Sequence, residues 1–341
     1  MHDILTSRER FGLLVIDEKP DRCNVIPLVT SHAAIVAGVP LKKYYTQGEV
    51  MARAQLAAIE EYGHDAISIF SEVGIIAEAM GSKFEYPEND LPILRHPALS
   101  KAGPETLSTP NPTQDGRLPV YLEAIRCAYD AVGDTIPVLA YVPAPFTTGM
   151  MLCHPEQFLI DVVRNPGRVD AIMEKALNAA IEFCYEIINA GGLPVLVDPL
   201  ASGSVISPST YRKFALPYEA ELIRFLHRYD LDIILHICGD TRPIVDILPE
   251  TGADLMSFDH LGIDVALERL SGRMRLIGNF DTSRLVLSSA DVIGREVGAM
   301  VAGAKAAGKG YVASTGCEVP LCAPRDNVLA FVKAAKEAGA Y

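Results

Sequence analysis

The sequence predicts a (β/α)8 barrel, and three observations carry that prediction. Short apolar runs alternate with helix-like segments through almost the whole chain, giving eight strand–helix units. No glycine-rich phosphate turn follows an early strand, as a doubly wound sheet would want. Polar and reactive residues recur at the C-terminal ends of the predicted strands, where barrels build their active sites, while the strand starts are mostly apolar. A chain of 341 residues has the length of one such barrel with insertions, so residues 1–341 are read as one domain.

The elements follow in order. Thr6 to Phe11 reads as a short leading helix, with Thr6 or Ser7 as its cap. The first strand is Cys23–Val29, followed by the helical stretch Gly48–Tyr62, and the second is Ala66–Glu72. A helix near Val120–Val132 leads into the third strand, Pro137–Pro145. A long amphipathic helix near Arg168–Ala190 leads into the fourth, Leu193–Ala201. The fifth, around Asp232–Asp240, is preceded by a helix from about Pro208 to Tyr229. Leu255–His260, Arg275–Asp281 and Tyr311–Cys317 are the sixth to eighth strands, and a helix covers about Asn327 to Ala338. Ser82 to Leu118, rich in proline and without periodicity, reads as a long loop after the second strand, either a binding loop or a surface excursion. Ala144–Pro155 reads as a second loop at the same rim, its methionines either a pocket wall or core filler.

Composition narrows the function classes. Apolar residues make up 49% of the chain, enough for a large core and against disorder. A formal charge of −13 argues against non-specific nucleic-acid binding, which needs a basic face. No apolar run approaches membrane-spanning length, and the N-terminal stretch MHDILTSRER lacks the apolar core of a signal peptide. Seven cysteines without close pairing do not form a disulfide framework. A cytoplasmic location is expected, with free thiols.

The chemistry concentrates in DIILHICGD. On a strand, residues two apart share a face, so His236 and Cys238 project side by side beyond the apolar run Ile233–Leu235. Cys317, at the end of the eighth strand, is the third member of a His/Cys/Cys set suited to Zn2+, with one coordination position free. The bland alternative is a buried histidine with two inert cysteines. With zinc, the site can hold a thiol substrate as thiolate, or polarise the heteroatom that leaves a methyl donor. Cys322 is a second choice for the third ligand. Asp198 is a candidate ligand-orienting or substrate-contacting carboxylate or a fourth metal ligand, or else a helix cap or loop brace. Glu318, beside Cys317, is a candidate proton carrier, or else a solvent-facing charge. Glu72 is a rim carboxylate of the same class. Asp259 and His260 are adjacent, so only one of them faces inward easily. Asn279 and Asp281 share a face and are candidates for the pocket floor.

With these residues in place, the chain resembles the uroporphyrinogen decarboxylase superfamily, and within it the cobalamin-dependent methyltransferases. The resemblance runs from about Arg8 to the C-terminus. It rests on TSRERF, EVMARAQLAAIEEYGHDAI, APFTTG, VDPLASGSVISPSTYRKFALPYE, HICGD, GADLMSFDH, IGNFD and STGCEVP. It implies a (β/α)8 barrel, in agreement with the strand count. Decarboxylases of the superfamily carry an arginine-rich N-terminal clamp. The corresponding stretch here, VTSHAAIVAGVPLKKYY, has no arginine, and Glu72 stands where they have a key aspartate. The methyltransferase branch carries His-x-Cys and a distant Cys as zinc ligands, which His236, Cys238 and Cys317 match.

The resemblance implies methyl transfer between a small substrate and the cobalt of a corrinoid. That cofactor would be carried by a partner protein, since the chain shows no DxHxxG-type stretch of its own. The substrate would be a thiol such as coenzyme M, or a methoxylated aromatic or other methyl donor. The segment EKPDRCNVIPLVTSHAAIVAG favours the donor-demethylating type. The alternatives are a metal-free decarboxylase and a non-enzymatic barrel that docks a corrinoid protein.

Overall fold

The computed structural model describes residues 3–306 and 310–341. The described residues form ten strands: β1 (Asn24–Val25), β2 (Ile67–Ile69), β3 (Lys83–Glu85), β4 (Ile93–His96), β5 (Val138–Pro143), β6 (Leu193–Val197), β7 (Ile234–Ile237), β8 (Leu255–Phe258), β9 (Arg275–Phe280) and β10 (Tyr311–Thr315). Eight of them form one sheet in the order β1-β10-β9-β8-β7-β6-β5-β2, and every neighbouring pair is parallel. The two edges, β1 and β2, are joined by Asp65. Its backbone N–H donates to Val25 O (2.8 Å), and its carboxylate accepts the Val25 N–H (2.7 Å). The fold is the (β/α)8 barrel that the alternation predicts.

Period-two alternation sorts the strand residues into two cores. Leu139 and Tyr141 of β5, Val195 and Val197 of β6, Ile234 of β7, Ile277 of β9 and Val312 of β10 fill the barrel interior. Their alternates, such as Val138, Leu196, Leu235 and Ala313, pack outward against the helices. The leading helix, Ser7–Val15, sends Leu14 into the interior cluster and so plugs the N-terminal end. It starts in a capping box: Thr6 Oγ1 accepts the Glu9 N–H (3.1 Å), and Glu9 Oε2 accepts the Thr6 N–H (2.8 Å). The helix outruns the predicted Phe11 because packing of Leu14, rather than amphipathic period, sustains its second half.

Three expectations change. The Ser82–Leu118 loop is not uniformly irregular: β3 and β4 pair as an antiparallel hairpin, and Pro104–Thr106 forms a 3-10 turn. Strands of three or four residues are too short to show a period. The Ala144–Pro155 loop is the helix Pro145–Leu152, with Pro145 at its first position and Met150 in the outer core. The helix expected from Pro208 to Tyr229 is interrupted by a π segment, Tyr211–Ala215, before Leu216–Leu226. Pro217 lacks an N–H and crowds the carbonyl of Lys213, which widens the turn there. Among the described residues, no helix is long and apolar enough to cross a membrane.

Candidate metal centre

β7 carries the first candidate ligand. Ile234 and His236 share the inward face, and His236 is the last inward residue before the chain turns at Gly239. Gly239 has φ +75°, and a Cβ there would stand 2.8 Å from Ser204 Oγ, so glycine alone fits the turn. The turn carries Cys238 to the same side as His236. β10 ends two residues before Cys317, and the Thr315 hydroxyl donates to Cys317 O (2.7 Å). A Cβ on the intervening Gly316 would stand 2.7 Å from Asp259 Oδ1.

The three side chains converge. His236 Nε2 lies 3.0 Å from Cys238 Sγ, and Cys238 Sγ lies 2.9 Å from Cys317 Sγ. All three donor atoms fall within 4.8 Å of one another, the sole such His/Cys/Asp/Glu group among the described residues. One nitrogen and two sulfurs are the donor set of a tetrahedral zinc, whose sulfurs would sit about 3.7 Å apart at Zn–S bonds of about 2.3 Å, so the two sulfurs, 2.9 Å apart here, would spread to admit it. His236 Nδ1 meets Ser257 Oγ at 2.9 Å; with Nδ1 as the donor of that bond, the Nε2 lone pair is left for a metal. The hydrogen bond between the two sulfurs, in which either can be the donor, lowers the Cys317 pKa and raises that of Cys238, so the pair holds one thiolate more readily than two. Cys322 is exposed and lies outside the group.

Asp259 braces both ligand turns. Its Oδ2 accepts the Gly239 N–H (3.0 Å), its Oδ1 faces Gly316, and burial raises its pKa. His260 is exposed, with Nε2 3.5 Å from Asp259 Oδ1; both residues lie past the end of β8, so strand alternation does not separate them. Glu318 is half-buried beside Cys317 and accepts a hydrogen bond from the Thr30 hydroxyl; burial pushes its carboxyl up to about 7.

The remaining candidates are spread around the rim. Asp198 is fully buried, its N–H bonded to His236 O (2.9 Å). Its Oδ1 accepts from the Thr147 N–H (2.8 Å) and hydroxyl (2.5 Å). Glu72 pairs with Arg117 (2.7 Å) and also accepts from Ser71. Asn279 spends its amide N–H groups on Asp259 O (2.8 Å) and Leu261 O (2.6 Å). Asp281 parts from it: it is exposed and caps the helix Thr282–Leu287, accepting the Ser283 N–H (2.8 Å).

Three participants were not read from sequence. Ser257 becomes visible only when β7 and β8 are known to pair with His236 opposite it. Arg117 lies 45 residues from Glu72 and carries no local signal. Glu219 had one: a carboxylate on the apolar face of a helix, where burial demands a partner.

The family described as uroporphyrinogen decarboxylase (URO-D) matches residues 6–338. The chain belongs to this family. Within it, the methylated-thiol–coenzyme M methyltransferase of Methanosarcina mazei is 26% identical over 321 residues, covering 92% of this chain and 84% of that one. A uroporphyrinogen decarboxylase of Trichlorobacter lovleyi is 27% identical, over 73% of each chain. The solved structure of a methyltransferase from Methanosarcina mazei superposes with a TM-score of 0.88 at 25% identity, covering 98% of this chain and 99% of that one. The chain is thus an enzyme of the methyltransferase and decarboxylase family, similar over nearly its whole length to a solved methyltransferase.

Proposed function

We propose that this protein is a zinc-dependent methyltransferase that moves a methyl group between a small substrate and the cobalt of a corrinoid held by a separate protein. The observation that carries this reading is the convergence of His236 Nε2, Cys238 Sγ and Cys317 Sγ at the C-terminal rim of the barrel. The similarity to proteins named methylated-thiol–coenzyme M and methylcobamide:CoM methyltransferase supports it. Two thiolates and a neutral imidazole balance the charge of Zn2+ and leave a position for substrate. Bound there, zinc would hold a thiol as thiolate or polarise the heteroatom that gives up a methyl group.

The residues around the triad then have distinct tasks. Ser257 holds the imidazole in the tautomer that offers Nε2. Asp198, gripped by Thr147, positions the backbone at His236. Glu318 stands at the ligand rim as the group that takes or returns a proton when a thiol enters or leaves. Exposed His260 faces whatever docks on the barrel mouth. Glu72 acts through Arg117, Asn279 through the loop it braces, and Asp281 through the helix it caps.

The alternative is a metal-free decarboxylase like the Trichlorobacter relative. Against it, Glu72 is spent on Arg117 and Ser71 rather than open to a substrate. Metal analysis of the purified protein beside Cys317→Ala separates the readings. The methyltransferase predicts about one zinc per chain, lost in the variant together with methyl transfer. The decarboxylase predicts coproporphyrinogen formation that is indifferent to chelators.

A further inference from the structure

Beneath the candidate ligands the barrel interior is not quite closed. A cavity of about 10 Å3 lies there, room for about one water or one methyl group. His236 and Ser257 line one side of it, and Tyr141 and Leu28 line others. Ile234 lies one inward step below His236 and Leu139 one below Tyr141, while Val195 pairs in register with Ile234. These three side chains make an apolar floor.

Leu28 ties the cavity to the ligand rim. Its N–H donates to Thr315 Oγ1 (3.0 Å), and its carbonyl accepts the Val319 N–H (3.0 Å), one contact on each side of Cys317. The cavity therefore lies between His236 and the backbone that carries Cys317. The serines at its edge are engaged: Ser257 Oγ meets His236 Nδ1 (2.9 Å), and Ser314 Oγ donates to Ile26 O (2.6 Å). A water would find few of the two to four partners it needs, whereas an alkyl group would meet apolar carbon.

We infer that this cavity receives the part of the substrate that is not transferred, and that Leu139, Val195 and Ile234 limit that part to one or two carbons. The inference deepens the methyltransferase reading and rests on it. The barrel has one entrance, so an exchanged methyl group must face it to reach a partner protein. The rest of the small molecule leaves the heteroatom by its other bond, toward the floor. Its first carbon stands at the edge of the cavity and a second fills it. The substrates so selected are methyl thioethers or ethers of a short alkyl group, and an aromatic ring, far larger than the cavity, is shut out.

Cobalt(II)-substituted protein tests the inference without turnover, because a bound thiolate gives a charge-transfer band. Methanethiol, ethanethiol, 1-propanethiol and 1-butanethiol are titrated as probes of the non-transferred group and compared at equal thiolate concentration. Affinity is expected to be highest at methanethiol or ethanethiol and to fall at least about 10-fold at 1-propanethiol, from overpacking against the floor. Leu139→Ala should lift that ceiling and restore binding of the two longer thiols; Val195→Ala gives the same reading should Leu139→Ala fail to fold. Affinity that stays level, or climbs by up to about 4-fold per added methylene through 1-butanethiol, overturns the inference, because the chain then points out of the mouth. A fall that the folded variant does not move also overturns it, since the floor is then not the limit. Cobalt binding with no thiolate band for any of the four thiols overturns it and leaves the metal centre standing. Failure to bind cobalt removes the metal reading and this inference together.

Discussion

His236 of β7 and Ser257 of β8 are register partners, and the ring Nδ1 meets the serine hydroxyl at 2.9 Å. Removing that acceptor frees the ring to turn and to exchange tautomers. Ser257→Ala should weaken zinc binding by about 10-fold, as loss of an outer-shell partner does, with little change in the unfolding midpoint. Competition with a chromophoric chelator measures it. Unchanged affinity would mean that the imidazole is oriented by packing alone.

Gly316→Ala should disturb both ligand turns through one atom. The new Cβ would stand 2.7 Å from Asp259 Oδ1, and Asp259 also receives the Gly239 N–H. Moving the carboxylate loosens Cys317 on one side and Cys238 on the other. The expected result is a folded protein with sharply lowered metal content. Metal content equal to that of the unaltered protein would show that Asp259 gives way without cost.

Asp198 Oδ2 and Glu219 Oε1 are both buried, and neither has a donor among the described residues. Burial raises both pKa values, and the charge on Asp198 pushes Glu219 further up, so Glu219 is the member that keeps a proton. Tyr211 holds the far oxygen of Glu219 (2.5 Å). Glu219→Gln keeps a donor in place and should leave stability close to the original. Glu219→Leu removes it and should cost about 1–3 kcal/mol, the penalty of an unpaired buried acceptor. Urea unfolding of both variants decides; equal losses would argue for a packing role only.

The closed end of the barrel predicts acid sensitivity. Arg22 lowers Asp3 to about 2, from an ordinary value of 3.8. Burial alone would raise Asp21, but hydrogen bonds from Arg10 and from the Ile4 and Leu5 N–H groups outweigh it and hold Asp21 below its ordinary range. Carboxylates depressed in the folded state add stability that is fully present above about pH 4 and is lost as pH falls toward about 2. Urea unfolding repeated from pH 5 to pH 2 should show that loss, and Asp3→Asn should reduce its size. A flat profile would rule out a contribution from these pairs.

The barrel was legible because eight apolar runs survive even where the paired strand is short: β1 pairs over only Asn24 and Val25 within the predicted Cys23–Val29. The His/Cys/Cys cluster was legible because His236 and Cys238 stand two apart at the end of one strand and Cys317 follows another strand of the same barrel, although it is the turn after β7 that brings Cys238 alongside His236. Parity did not part Asp259 and His260, which lie past the end of β8 and stay within 3.5 Å of one another. What stayed hidden depends on through-space partners. Nothing near Glu72 names Arg117, and nothing near His236 names Ser257, because each pairing requires the strand order. Pro217 was readable as a helix perturbation, yet the width of the turn it forces was not. The rim hairpin escaped because β3 and β4 are short and flank two prolines, Pro87 and Pro92.

Below His236 the barrel is filled by Ile26, Leu139, Val195, Ile234 and Ile277, and Leu14 stoppers the far end. The centre is therefore a blind alley with one entrance. On the methyltransferase reading proposed above, substrate, proton and product would all pass through the doorway that a docking corrinoid protein would cover, so the small molecule would enter before the large partner arrives and its successor would wait until that partner has gone.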